Sequence, residues 1–177
     1  MEDITQALKE YFVDWTAWCE QQHTFAFRAL LPMHAGWKIS DEPALGQELA
    51  MLLPFTDQGH IGTVDNRKIA LLALNDLAEG VPILQIMQLR PDSSDPLGLD
   101  HVAFYCPEVT ALKTALKASD YTWEEQHNTG HTWLSLWFGE KQREAKFFDH
   151  TSLDIGAREL SQTSEAIKNN HTAADLI

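Results

Sequence analysis

The chain has 177 residues, 44% of them hydrophobic, with six Trp and eight Phe; so much apolar side chain builds a sizeable core and excludes intrinsic disorder. Thirteen Lys and Arg against 26 Asp and Glu leave a formal net charge of -13. That balance disfavours nucleic acid and anionic membrane surfaces as partners and favours a cation or a small-molecule ligand.

In chain order, Ile4, Leu8, Tyr11, Phe12, Trp15, Trp18 and Cys19 recur at helical spacing from Asp3 to about Gln21, which predicts an amphipathic helix. "HTFAFRALLP" alternates Phe25 and Phe27 with smaller or polar residues and reads as a strand ended by Pro32. "SDEPALGQELAMLLP" follows as a helix, with Ser40 or Asp41 as N-cap, Pro43 in its first turn and Pro54 as its stop. "GHIGTV", "IALLAL" and "VPILQIMQL" then read as three strands, the first two joined by the turn-like "DNRK".

After the linker-like "RPDSSDPLG" the order begins again. "LDHVAFYC" is a strand and "PEVTALKTALKAS" a helix, followed by the strands "YTWEEQ", "HTWLSLWF" and "EAKFFDH". The fold class read from this order is α+β, with two β-α-β-β-β modules forming curved, mixed, mostly antiparallel sheet around a cleft, plus an extra N-terminal helix and a C-terminal helix. The divisions are residues 1–21 for the N-terminal helix, 22–91 for the first module, 92–99 for a linker, 100–150 for the second module and 151–177 for a C-terminal helix and polar tail, all in one compact domain.

Acidic residues in "MEDITQALKEYF", and the lack of any apolar run near the roughly 20 residues that cross a bilayer, predict a cytoplasmic protein. Cys19 and Cys106 form no C-x-x-C pair and read as free, buried thiols.

Paired β-α-β-β-β modules, the second opening on "LDHVAFYC", resemble the vicinal oxygen chelate superfamily of glyoxalases, extradiol dioxygenases, epimerases and bleomycin-resistance proteins over roughly Gln22 to His150. Within it, the added N-terminal helix and the segments "QHTFAFR", "IMQLRP", "LDHVAFY" and "AKFFDH" resemble the small bacterial YecM-type proteins. The resemblance implies a divalent metal (Zn, Ni, Mn, Fe or Co) held in the cleft by His, Gln or Glu from the first and last strands of each module. It also implies isomerase, lyase or oxygenase chemistry on a ligand with two adjacent oxygens. Carried over by position, the ligands are His23, Gln88 and His101. The last strand departs from the pattern: Lys146, Phe147 and Phe148 stand where a carboxylate is expected, flanked by Glu144, Asp149 and His150.

Plainer readings stand beside these. His101 sits at a strand mouth, where histidine is also common as a partly buried hydrogen-bonding residue. Gln85 and Gln88 lie three apart on one strand, so only one of them can face a cleft. His127 and His131 flank Asn-Thr-Gly, which is turn chemistry and lacks the helix and Glu of a catalytic zinc motif. Trp133 and Trp137, with Ser135 between them, form an aromatic face that lines a ligand pocket or packs in the core. No nucleophile elbow, Walker loop or dinucleotide turn occurs. Two function classes remain: a metal-dependent enzyme, and a non-enzymatic small-molecule or protein-binding module with a degenerate metal site, as a monomer or homodimer.

Overall fold

The structure, a computed structural model, describes residues 4–39, 56–64, 67–74, 83–89, 92–128 and 131–149. Helix α1 (Ile4–Cys19) is followed by β1 (Leu31–Ile39), β2 (Thr56–Val64), β3 (Arg67–Leu74) and β4 (Ile83–Gln88). The second module comprises β5 (Gly98–Tyr105), α2 (Val109–Lys117), β6 (Thr122–Asn128), β7 (His131–Phe138) and β8 (Arg143–Phe148). The helices expected over residues 40–53 and in the C-terminal segment lie outside the described residues. Among the described residues no helix is long and apolar enough to cross a membrane.

The eight strands form one mixed sheet in the order β2-β3-β4-β1-β5-β8-β7-β6. Each module contributes the same arrangement: its first strand runs parallel to its fourth, and the other neighbours are antiparallel. The modules join where β1 meets β5 antiparallel, so their two sheets merge into one across that seam. Gly98, at φ 102, turns the linker into β5, and β5 takes up the last residues of the stretch expected to be linker.

Strand alternation sends Ala35, Trp37, Ile39, Leu84, Ile86, Val102, Phe104, Leu134, Leu136, Phe138, Ala145 and Phe147 to one face, where all are buried. Helix α1 lays Leu8, Tyr11, Trp15 and Cys19 onto that face. Trp15 stacks on Phe104 at 4.7 Å and meets Phe138 edge-on at 5.0 Å. The Tyr11 hydroxyl donates to the Glu144 carbonyl at 2.9 Å, and Arg143 Nε donates to Asp14 Oδ2 at 2.7 Å. The N-terminal helix is therefore bolted to the second module by both apolar and polar contacts. Helix α2 adds Leu112 and Leu116, as its spacing predicts.

One expected element is corrected. "HTFAFRALLP" is not a strand: Phe27–Ala29 form a single 3-10 turn, and β1 starts only at Leu31. Phe25 and Phe27 stay on one side, as alternation would also have it, but on a turn under α1: their rings touch at 5.1 Å, and Phe27 packs on Trp18 at 4.9 Å. Burial under α1 outweighs the local strand pattern. Pro32, read as a stop, lies inside β1, where the strand pairs with β5 alone, because pairing with β4 starts at Ala35. With no ladder bond required on that side, its missing N–H costs nothing.

Trp15→Ala is expected to remove about 3–5 kcal/mol of stability. Urea unfolding checks this as a lower midpoint at unchanged slope.

Candidate functional site

The face of the sheet away from α1 carries His34, Gly36 and Lys38 on β1 and His101 on β5. It also carries Glu144 and Lys146 on β8, and Trp133, Ser135 and Trp137 on β7. Two local features of the seam bring some of these groups together. Gly36 pairs with His101 while Trp37 pairs with Leu99, so Asp100 is an extra residue, a bulge in β5. Such a bulge re-aims side chains at a strand; here Asp100 and His101, adjacent in sequence, meet through Asp100 Oδ2 and His101 Nδ1 at 2.8 Å.

The second feature is Gly36. A Cβ there would lie 2.6 Å from Nδ1 and 2.8 Å from Nε2 of His101, inside van der Waals contact. Only glycine lets the imidazole lie across β1. The ring thereby reaches His34, which pairs with Ala103 two residues along, and the two Nε2 atoms face each other at 3.2 Å.

His101 is 2% exposed. Burial lowers its pKa from the ordinary 6.5 and the nearby Lys146 charge pushes the same way, against Asp100 and Glu144. Burial, then His101 and Lys146, hold His34 well below 6.5. Both rings are neutral at neutral pH. Burial by itself would raise the Asp100 carboxyl, but the hydrogen bonds from His101 and Lys38 and the charge of Lys146 outweigh it and hold Asp100 ionised, below the ordinary carboxylate range. Lys38 Nζ lies 2.7 Å from Asp100 Oδ1 and 2.8 Å from Asp95 Oδ2, tying the linker to β1. The carboxylate of Asp100 accepts a hydrogen bond from His101 Nδ1–H, so the Nε2 lone pair of that ring accepts one from His34 Nε2–H.

Glu144 pairs with His101 across the β5–β8 ladder. Asp100, His101 and Glu144 each offer a ligand atom within 4.8 Å of the others. Neutral imidazoles and a carboxylate are the donors that first-row divalent metals take. Two nitrogens about 2.0–2.1 Å from one tetrahedral ion stand about 3.3 Å apart, close to the observed spacing of the two rings. The chemistry of these donors fits a divalent metal: Asp100, His101 and Glu144 form the group that lies together within 4.8 Å, and His34 adds a second imidazole through its 3.2 Å contact with His101.

One known structure shares this fold over most of both chains. The structure "Structural Genomics, Protein EC4020" is similar over 89% of this chain and 91% of its own, with a TM-score of 0.63 at 14% identity. "Hypothetical protein BH1468 from Bacillus halodurans C-125" aligns with 68% of this chain and 94% of its own at TM-score 0.48, and a methylmalonyl-CoA epimerase with 67% and 94% at TM-score 0.46, both at 14% identity. No family profile and no curated protein sequence matches the chain. Repeated modules with parallel first and fourth strands, joined first strand to first strand, decide the architecture. The chain shares its fold with the EC4020 structure, and this paired arrangement is the one that the sequence resemblance to the vicinal oxygen chelate superfamily implies. At this level of identity the likeness shows the fold alone.

Within this fold, the residues singled out from sequence part company. His101 is at the centre of the cluster. His23 is exposed in the segment before β1, and His34 stands on the first strand where His23 was expected. The match of "QHTFAFR" to a first strand fails for the same reason. Gln88 shares the alternation of Leu84 and Ile86, the helix side of the sheet, whereas Gln85 pairs with Gly36 on the site side. Trp133 and Trp137 share the face of His101. His34 was hidden by reading Pro32 as a stop; a glycine inside a strand, at Gly36, was the signal of close approach that could have exposed it.

Two outcomes are expected. In Gly36→Ala the fold persists, but His101 is displaced and its Nδ1–H tautomer is lost, as seen in long-range 1H–15N imidazole spectra. In chelator-treated protein the depressed histidine pKa values make the unfolded chain bind more protons below pH 6.5. Stability is then full above about pH 6.5 and falls as pH drops toward the folded-state values. His34→Gln flattens that slope in urea titrations at stepped pH.

Proposed function

We propose that this chain binds a divalent metal through His34, His101 and Glu144, and that the bound metal takes a small ligand by two neighbouring oxygens. The observation that carries the reading is the facing pair of Nε2 atoms, 3.2 Å apart, on two rings that stay neutral. Asp100 orients His101 and raises its basicity as a ligand, with Lys38 holding the carboxylate in place. When bound, a metal of this kind supplies a Lewis acid for charge that develops on a ligand oxygen, the chemistry of isomerases, lyases and oxygenases. Residues of the chain do the rest: Gly36 leaves room for the ring, and Trp133 and Trp137 offer aromatic walls for an organic ligand. We place the protein in the cytoplasm, where the buried thiols Cys19 and Cys106 remain free.

A second reading, a metal-free binding module, is favoured by one observation. Lys146 occupies the β8 position where a carboxylate is expected, with Nζ 3.8 Å from Glu144 Oε1. A cation there opposes a dication and competes for its carboxylate.

Calorimetric titration with Mn2+, Ni2+, Co2+ and Zn2+ separates the two. Wild type is expected to bind at least one ion stoichiometrically. His34→Ala and His101→Ala should lose binding, and Asp100→Asn should weaken it by about 10–100-fold. Absence of binding by wild type, or binding unaltered in both alanine variants, would leave the second reading.

A further inference from the structure

Three hydrogen-bond donors lie unspent on one part of the site face. Among the described residues, Ser135 is fully buried and its Oγ has no partner, and Trp133 Nε1 is likewise buried without one. The Lys146 side chain is 16% exposed, and its ammonium makes no hydrogen bond among the described residues; its contacts are the 3.8 Å approach to Glu144 and the Trp133 ring, 5.9 Å to the centroid. Buried polar groups in folded proteins are almost always paired, because an unpaired donor forfeits its bonds to water. The two unpaired donors, with the loosely paired ammonium of Lys146 beside them, call for a common acceptor.

Register places them together. Ser135 is directly opposite Lys146 on the neighbouring strand, and Trp133 is two residues along β7 on the same face. Phe148, two residues beyond Lys146, stacks on Trp133 at 5.8 Å and lies 6.0 Å from the His34 ring. The patch thus continues into the histidine pair. All three unspent groups donate and one is cationic, so their acceptor is an anion; an O–H, an N–H and an ammonium together suit a carboxylate.

We infer that the ligand of this face is an organic acid whose carboxylate is received by Lys146, Ser135 and Trp133, with its remaining oxygens directed toward His34 and His101. The inference rests on the proposed reading of this face as a ligand site but does not require the metal.

The test reads the indole N–H of Trp133 in 1H–15N spectra, assigned by its loss in Trp133→Phe. Acetate is the probe, and neutral, isosteric acetamide the control, in the protein as purified and after chelator treatment. Acetate should shift the Trp133 signal saturably, and acetamide should not. Lys146→Met should weaken acetate by about tenfold or more, Ser135→Ala by severalfold, and Lys146→Arg should retain most of the affinity. No saturable shift by wild type, an equal response to acetamide, or unchanged affinity in Lys146→Met with a wild-type melting curve would each overturn the inference. Metal binding is scored separately by calorimetry, so acetate recognition in a protein that takes no metal sinks the metal reading and leaves this one standing.

Discussion

The site depends on the antiparallel seam between β1 and β5. That pairing joins the two modules into one sheet, and it also sets Gly36 opposite His101. Without a Cβ at position 36 the imidazole lies flat across the neighbouring strand and reaches a histidine of the other module. The bulge at Asp100 belongs to the same few residues of seam, and it supplies the carboxylate that fixes the tautomer of the ring. Neither module alone could assemble this pair, because each gives one ring.

Charge on this face is balanced among protein groups. Asp100 and Glu144 contribute two negative charges, Lys38 and Lys146 two positive ones, and the histidines none. Lys38 is spent on Asp95 and Asp100, whereas Lys146 and Glu144 stand 3.8 Å apart, beyond hydrogen-bonding distance. That loose pair is the part of the balance that can be redistributed. Were a dication to draw on Glu144, Lys146 would be left uncompensated, and a ligand carboxylate would offset part of the added positive charge. Metal and anion would then favour each other's binding, with Lys146 as the hinge between the two equilibria.

The fold was legible in the sequence wherever periodicity was strong. The spacing of Leu8, Tyr11, Trp15 and Cys19 gave α1, and the second module followed its predicted order from "LDHVAFYC" to "EAKFFDH". Failure came at "HTFAFRALLP", where the two Phe side chains join an aromatic cluster under α1 from a turn and where Pro32, among the described residues, has a paired neighbour on the β5 side alone. Both facts are tertiary, and neither leaves a local trace. The site suffered in consequence: moving the first strand from Phe25 to Leu31 replaces His23 with His34. Gln88 fell to parity, since one step along a strand decides its face. His101 was recoverable because its strand was correctly bounded, and Asp100 beside it became meaningful only once the bulge was seen.

The two faces of the second module carry separate duties. Phe104, Phe138 and Phe147 bury against α1 and supply the stability, while the alternate positions on the same strands hold the unspent donors and the histidines. Alternation makes these sets nearly independent in space, so a face with buried unpaired groups can persist on a densely packed aromatic core. The cost of leaving Ser135 and Trp133 without partners among the described residues, and Lys146 only loosely paired, is borne by packing that those residues do not share. A binding event that satisfied the three donors would recover that cost as affinity, which is why an arrangement destabilising for the empty fold suits recognition of a ligand.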